Sequence, residues 1–283
     1  MDQTRITILC ENTAGGVRGI TGEHGFAALI EKGDTKILLD TGQGMTLKPN
    51  ADALGIDLES IDTIVLSHGH FDHTGGLPDV LYPPRGVKII AHPRVFDEKY
   101  AEIDTPRGKH QFFIGIKHRQ AFLEAGLGAR FIFETEYKEI APGIFFSGQV
   151  PRTTDFEHPA TDLLVKEGDE FKTDPLLDDA SLLIETAKGP VILTGCAHTG
   201  IVNVMNHFQK QSGHDAFHAV IGGTHLGFME VGEQLDRSMD AFDQFKVDLI
   251  AVSHCTGNEA AAICYNRFKE RFAFANASWS VTF

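Results

Sequence analysis

Three histidines and an aspartate lie within six residues, in the segment Ser67-His68-Gly69-His70-Phe71-Asp72-His73. Neutral imidazoles and carboxylates are ligands that suit zinc, iron or manganese. In an extended chain alternate side chains point to the same side, so His68, His70 and Asp72 can converge on one point. His73 follows directly and can face a second point close by. Two metal ions about 3.5–4 Å apart can hold the attacking and leaving oxygens of a displacement reaction.

A buried strand is expected to position this segment. Residues 61–66, Ile-Asp-Thr-Ile-Val-Leu, are short, apolar and β-branched, which is typical of a strand. Gly75 and Gly76 then turn the chain toward a short helix. The potential ligands therefore lie at the carboxyl end of a strand, where open sheets place their chemistry. A polar loop with capping histidines is the alternative, but four potential ligands packed this closely favour a metal site.

The pattern His-x-His-x-Asp-His after an apolar strand resembles the metallo-β-lactamase superfamily. Residues 36–42, Lys-Ile-Leu-Leu-Asp-Thr-Gly, are similar to the strand-Asp-Thr-Gly element of that superfamily. The resemblance covers essentially the whole chain. It implies an α+β fold, an αββα sandwich of two mixed β-sheets flanked by helices, with a one- or two-metal site at one edge. It also implies that Asp40 supports the metal segment from behind, where an ordinary turn or capping residue is the alternative.

Bulk properties narrow the classes of protein. The 283 residues suit a single domain over 1–283, with irregular inserts expected near 100–120 and 151–179. The N-terminus does not resemble a secretory signal, and the four cysteines form no CxxC pair, so we expect a reduced cytoplasmic location. The apolar runs are too short for a membrane span. The formal net charge of −14 argues against a large nucleic-acid interface.

Three predicted strands in the second half also end in potential ligands. Residues 190–194 lead to Cys196 and His198, residues 217–223 lead to His225, and residues 247–252 lead to His254. His254 matches the final metal histidine of the superfamily. The chain departs from the common pattern where Cys196 replaces the aspartate that bridges the metals and where no histidine occupies a Gly-His-Thr loop near Gly148. A thiolate is a reasonable zinc ligand, and a small buried apolar residue is the alternative for Cys196.

The second-half segments 195–198, 222–226 and 253–257 together resemble one subgroup of the superfamily. This subgroup includes an archaeal enzyme that makes a dihydropterin–ribofuranosylaminobenzene phosphate conjugate. Residues 23–25 and the stretch around Arg152 are similar to it too. The substrate-binding residues predicted on this basis are Glu23, His24, Arg152, Thr153 and His225. Arg152 beside two threonines could hold an anionic group, and a structural salt bridge is the alternative.

These observations predict a site with two zinc ions, for which manganese or iron are alternatives. His68, His70 and either His198 or Cys196 would hold one metal, and Asp72, His73 and His254 would hold the other. His225 would complete the metal set, contact substrate or, together with Asp72, transfer protons.

The expected function is a metal-dependent enzyme that acts on a small anionic substrate, as a hydrolase or as a transferase of the pterin-conjugate synthase type. The alternative is a regulatory or ligand-sensing protein that binds metal without catalysis. No nucleic-acid or membrane partner is expected, and a homo-oligomer is compatible with the sequence.

Overall fold

The secondary structure of the first half of the chain surrounds the predicted metal segment. A computed structural model describes residues 3–228 and 232–283. The strands up to residue 146 are β1 (Thr4–Cys10), β2 (Ala27–Lys32), β3 (Thr35–Leu39), β4 (Thr63–Val65), β5 (Lys88–Ala91), β6 (Lys99–Thr105), β7 (Gly108–Phe113), β8 (Arg130–Phe133), β9 (Lys138–Ala141) and β10 (Ile144–Phe146). The helices are α1 (Leu47–Ala53), α2 (Phe71–Thr74), α3 (Leu77–Leu81) and α4 (Gln120–Leu127), with 3₁₀ turns at Leu58–Ser60 and Pro93–Phe96.

The second half repeats the pattern of strand followed by helix. Its strands are β11 (Leu163–Glu167), β12 (Glu170–Thr173), β13 (Ser181–Thr186), β14 (Gly189–Thr194), β15 (Ala219–Gly222), β16 (Leu249–Val252), β17 (Phe272–Phe274) and β18 (Ser280–Thr282). Its helices are α5 (Ile201–Ser212), α6 (Glu233–Gln244) and α7 (Asn258–Phe268), with 3₁₀ turns at Leu226–Phe228, His254–Thr256 and Lys269–Arg271. None of the helices within the described ranges has both the length and the apolar character needed to cross a membrane.

Two mixed sheets form the centre of the fold. The first has the order β18-β1-β2-β3-β4-β5-β8, and the second has the order β17-β16-β15-β14-β13-β10-β9. Strands β3, β4, β5 and β8 run parallel, as do β14, β15, β16 and β17. The carboxyl ends of parallel strands meet at one edge of a sheet, so each sheet gathers the segments that follow these strands.

Three layers of apolar side chains hold the sheets and helices together. Between the sheets, Ile6 and Ile30 pack in one cluster with Leu182 and Ile221. The outer face of the first sheet is covered by side chains of α1 and α3, and the outer face of the second is covered by side chains of α5, α6 and α7. This confirms the predicted αββα sandwich.

The two inserts predicted to be irregular instead contain strands, so that prediction is wrong. Residues 99–113 and 163–173 form two hairpins that pair as a third, antiparallel sheet in the order β12-β11-β6-β7. The signal is weak in the sequence because these strands are largely exposed: β7 is exposed along its whole length, and β12 likewise. A strand that buries little apolar surface shows little of the alternation on which strand prediction depends.

A buried ion pair fastens the third sheet to the predicted metal segment. Lys99, at the start of β6, is only 1% exposed, and its Nζ lies 2.7 Å from Asp174 Oδ2 and 2.8 Å from Asp178 Oδ1. The other oxygen of Asp178 accepts a hydrogen bond from the Gly69 N–H at 2.8 Å. The position of the hairpin is therefore coupled to the backbone between His68 and His70.

Replacing this lysine should destabilise the protein. Lys99→Met keeps much of the side-chain volume but leaves two buried carboxylates without their cation, which typically costs about 3–5 kcal/mol. Urea unfolding followed by circular dichroism would measure the loss. Lys109→Met, which breaks an exposed pair with Glu102, is the matched control and should leave the midpoint almost unchanged. Equal midpoints for the two variants would contradict this account.

Candidate metal centre

The predicted ligands lie at the carboxyl ends of strands from both central sheets. The segment after β4 supplies His68, His70, Asp72 and His73, and the segments after β14, β15 and β16 supply Cys196, His198, His225 and His254. All of these side chains are at least nine-tenths buried. Gly69 lets the backbone between the two histidines pass close to Val95, because a Cβ there would lie 2.0 Å from the Val95 carbonyl oxygen.

Three imidazoles form a first group. His68 Nε2 lies 2.9 Å from His70 Nδ1 and 3.2 Å from His198 Nε2. Nitrogens that share a tetrahedral zinc ion at its usual bond length are about 3.3 Å apart. The group is thus within a few tenths of an ångström of the spacing that a bound metal requires.

Asp72, His73 and His254 form a second group. His73 Nε2 lies 3.3 Å from His254 Nε2, and Asp72 Oδ2 lies 3.7 Å from His73 Nε2 and 3.2 Å from His254 Nε2. The half-exposed His24 also approaches, with its Nε2 3.3 Å from Asp72 Oδ2. His24, predicted as a substrate-binding residue, therefore lies beside a candidate metal ligand.

Hydrogen bonds on the far side of the rings fix the lone pairs of the second group. His73 Nδ1 lies 2.7 Å from Asp40 Oδ2, and His254 Nδ1 lies 2.8 Å from Asn12 Oδ1, an oxygen that also accepts the Gly25 N–H. Both partners are acceptors, so each ring carries a proton on Nδ1, and the neutral form of each ring has its lone pair on Nε2. Two lone pairs that face each other at 3.3 Å are satisfied by a cation between them.

Asp40 orients the first group as well, through Ser67. The Ser67 hydroxyl donates its single proton to Asp40 Oδ2 at 2.7 Å, so it accepts from His68 Nδ1 at 2.8 Å. His68 Nε2 is then a lone pair directed at His70 and His198. Asp40, fully buried, stands behind both groups, which is the place that the family resemblance implied for it.

Burial sets the charge of the first group. It lowers the pKa of His68, His70 and His198 well below the usual range, and the neighbouring imidazoles add to this effect. These rings are therefore neutral near pH 7, which is the form that binds metal.

The second group, in contrast, contains charged side chains. Burial favours a neutral Asp72, but attraction to His73 and His254 outweighs it and holds the pKa of the carboxyl well below its usual range. Burial also opposes a charged His73, but Asp40 and Asp72 raise its pKa to about 9. In the metal-free protein a proton thus occupies the place that suits a cation.

A cavity of about 690 Å³ opens onto both groups. One wall is apolar and comes largely from the third sheet and its flanks: Phe71, Ala101, Ile103, Ile114, Pro159, Leu163 and Phe228. Within the described parts of the chain, the cavity lining includes neither lysine nor arginine.

His225 also lines this cavity, with its ring centroid 4.2 Å from that of His198. Burial lowers the pKa of His225 to about 4, so it is a neutral proton acceptor at pH 7.

The sequence model of the metallo-β-lactamase superfamily matches residues 20–254. The protein belongs to this superfamily. Among solved structures, Tm1679, described as a metal-dependent hydrolase of the β-lactamase superfamily, superposes with a TM-score of 0.81 at 27% identity over 98% of each chain.

Two relatives from Methanocaldococcus jannaschii are similar over most of the chain. The 7,8-dihydropterin-6-methyl-4-(β-D-ribofuranosyl)-aminobenzene-5'-phosphate synthase is 32% identical over 294 aligned residues, which cover 100% of this chain and 98% of the relative. The uncharacterized protein MJ0448 is 37% identical over 258 residues, which cover 90% and 91%. The resemblance noted in the sequence is thereby confirmed, for the superfamily and for similarity to the pterin-conjugate synthase.

Cys196, which the family resemblance places at the position of a bridging aspartate, lies close to both groups. Its Sγ is 3.2 Å from His73 Nε2, and it also forms a compact group with His68 and His73. It therefore touches the first and second groups at once. Burial raises the pKa of the Cys196 thiol well above its usual range, and contact with Cys255 adds to this, so in the absence of a cation the thiol keeps its proton.

Two predicted substrate-binding residues, Glu23 and Thr153, do not line the cavity that opens onto the ligands, and both form hydrogen bonds within the protein. The Glu23 carboxylate is buried and accepts the backbone N–H groups of Gln43, Met45 and Thr46 at 2.9–3.2 Å, so it holds the loop after β3. The Thr153 N–H and hydroxyl both donate to Asn203 Oδ1, at 2.7 and 3.1 Å. Thr153 lines a separate polar cavity of about 540 Å³.

Arg152 contacts the metal centre from behind. Its Nη2 donates to the His198 carbonyl oxygen at 2.9 Å, and it does not line the cavity that opens onto the ligands. Here it supports the loop that carries His198.

Several residues that orient the site were missed in the sequence. Asn12 and Ser67 orient His254 and His68, and Glu11 Oε1 accepts the His254 N–H at 2.7 Å. Asp179 Oδ2 accepts the N–H and hydroxyl of Thr199, at 2.8 and 2.7 Å, next to His198. Asn12 and Ser67 each follow the end of a strand, so the same strand-end rule that selected the ligands could have found them.

Removing the acceptor on Asp40 should weaken metal binding. Asp40→Asn keeps the shape of the side chain but loses the negative charge that faces His73 Nδ1. Changes of this kind typically cost 10–100-fold in metal affinity. Competition with a chromophoric zinc chelator would measure it, with the exposed Asp34→Asn as control. Affinities that agree within a factor of two would contradict the role of Asp40.

Asp179 should make the stability of the metal-free protein depend on pH. Burial raises its pKa to about 6. A carboxyl whose pKa is higher in the folded than in the unfolded state binds protons more tightly when folded, so stability falls as pH rises from about 4 to about 6 and stays lowered above that. Asp179→Asn removes this penalty, so its stability relative to wild type should increase by roughly 3 kcal/mol from pH 4 to pH 7. Urea unfolding at both pH values would show it, and a difference that does not change with pH would disprove it.

Proposed function

We propose that the protein is an enzyme with a binuclear metal centre that acts on a small anionic substrate, by hydrolysis or by condensation of the pterin-conjugate synthase type. The observation that carries this proposal is the convergence of three buried donor atoms: His73 Nε2 and His254 Nε2 lie 3.3 Å apart, and Asp72 Oδ2 lies 3.2 Å from His254 Nε2. Buried donors that converge in this way need a cation, which in the metal-free protein is the proton on His73 and which a bound metal would replace.

The donor sets fit two dications of the zinc type. His68, His70 and His198 would hold one, and Asp72, His73 and His254 would hold the other, with Cys196 between them. Three neutral nitrogens in one set, and nitrogens with a carboxylate in the other, are combinations that zinc accepts and that manganese or iron can also occupy. Bound there, the metals would supply Lewis acidity that stabilises negative charge developing on the substrate.

The rest of the cavity suggests how the chain would bind its substrate. Because the described lining lacks lysine and arginine, the anionic group of the substrate would be drawn to the metal end. The apolar wall, which includes Phe71, Ile103 and Phe228, would take a flat or apolar part of the same molecule. The M. jannaschii synthase is named for a conjugate that combines aromatic rings with a phosphate, and that chemistry matches both ends of this cavity.

Two side chains, those of His225 and Asp72, would move protons. His225, neutral near pH 7, lies at the cavity beside His198 and could accept a proton from the substrate or from water. Asp72, held ionised, would act from the metal end. The acidic charge of the chain and its four unpaired cysteines are in keeping with a small-molecule enzyme in a reduced, cytoplasmic setting and without a nucleic-acid partner.

Metal analysis tests the centre directly. The purified protein should contain one to two equivalents of zinc, manganese or iron, and His68→Ala should lose about one of them, because His68 Nε2 faces two other ligands. His218→Ala, at a surface pair with Asp248, is the matched control and should retain the full content. Absence of metal, together with no rise in thermal stability on adding any of the three, would disprove the proposal.

Activity assays separate the enzyme from a metal-binding protein without catalysis. Phosphodiesters, lactones, thioesters and a pterin pyrophosphate would be offered to wild type, His68→Ala and His218→Ala. Turnover of one class that is lost only in His68→Ala supports catalysis at this centre. Equal residual activity in all three proteins would indicate a regulatory or ligand-sensing role.

A further inference from the structure

A second thiol lies at the metal centre beside Cys196. Cys255 directly follows His254 and is 5% exposed, at the wall of the same cavity. The sulfur atoms of Cys196 and Cys255 and a ring nitrogen of His254 all lie within 4.8 Å of one another. The two cysteines lie in loops that follow the parallel strands β14 and β16. These strands flank β15 in the second sheet, so the strand order brings both loops to the same edge.

The groups around Cys255 provide a hydrogen-bond donor to its sulfur and leave space for it at the site. The His225 backbone N–H points at Cys255 Sγ with a separation of 3.3 Å, and a donor in this position stabilises a thiolate. Gly223 leaves room for the sulfur, because a Cβ there would lie 2.6 Å from Cys255 Sγ. Without metal the thiol hydrogen can go to the Cys196 carbonyl oxygen, 3.4 Å away.

We propose that Cys255 and Cys196 form a dithiol subsite of the metal centre, which makes its second metal position selective for thiophilic dications. The inference rests on the proposed metal centre and specifies its chemistry. Two thiolates on a tetrahedral zinc ion are about 3.8 Å apart, a spacing that fits within the 4.8 Å limit of this group. Thiolate ligands favour zinc, cadmium and ferrous iron over magnesium and manganese.

Binding through this subsite is balanced by proton release. Each thiol gives up one proton to solvent as its sulfur bonds to the metal, so one dication displaces two thiol protons in addition to the proton on His73, and no electron is transferred. The other two cysteines have no such geometry. Cys10 lies in the apolar cluster under α1, and Cys264 lies in the cluster under α7, both fully buried.

Cadmium spectroscopy on the whole protein tests the proposal. Metal-free protein, kept reduced with a phosphine, would be titrated with Cd²⁺ while the thiolate-to-cadmium charge-transfer absorption is recorded. Wild type should develop this band. Cys196→Ser and Cys255→Ser should each lose about half of its amplitude, since each removes one of two thiolates, whereas Cys264→Ser should retain all of it. Circular dichroism would establish that each variant is folded, and the alanine variant at the same position would replace any serine variant that is not.

The outcomes separate the dithiol subsite from the metal centre itself. Bound cadmium would be counted independently by equilibrium dialysis. A full band in folded Cys255→Ser would show that Cys255 is not a ligand and would overturn the inference. Bound cadmium with no band in wild type would overturn it too, while leaving the metal centre intact. Wild-type protein that binds no cadmium at all would disprove the proposed metal centre as well.

Discussion

A single buried carboxylate, that of Asp40, determines how the metal centre is oriented. It accepts hydrogen bonds from the Ser67 N–H, the Ser67 hydroxyl and His73 Nδ1, each at 2.7 Å. Three donors compensate a charge that would otherwise be very unfavourable in the interior. Asp40 has a φ of 59°, so the chain turns sharply out of β3 and directs the carboxylate at the neighbouring strand end. Ser67 donates to Asp40 and therefore accepts from His68 Nδ1. Asp40 thus determines which nitrogen is protonated in one ligand of each group, His68 and His73.

The cavity beside these oriented ligands has two ends with different surfaces. At the closed end, seven potential ligand side chains meet, of which the imidazoles of His68, His70 and His198 are kept neutral by burial. At the open end, the third sheet supplies an apolar wall, anchored to the ligand segment through Lys99 and Asp178. The combination suits a molecule with one anionic and one apolar end. In the proposed binuclear centre, the local positive field that attracts an anion would come from bound metal and not from the acidic chain.

Prediction from sequence succeeded where the signal was local and failed where it was not. The segment from His68 to His73 and the strand ends at His198 and His254 were recognisable because apolar strands followed by polar ligand residues stand out in any chain. The family resemblance supplied the sandwich. The third sheet was missed because its strands are exposed. Glu23 and Thr153 do not line the cavity that opens onto the ligands, because a polar residue near a motif can hold a loop as well as face a site, and only the tertiary structure shows its hydrogen bonds.

The sequence by itself determined which ligand types exist and that each follows a strand, since both are properties of short segments. Only the tertiary structure decided which atoms face one another. His68 and His198 are 130 residues apart, His73 and His254 are 181 apart, and Asn12 reaches His254 across 242 residues. These pairings follow from the order of strands within two packed sheets. That order depends on burial of the whole core, so no local pattern could have specified the partner of each ring or the thiol of Cys255 beside that of Cys196.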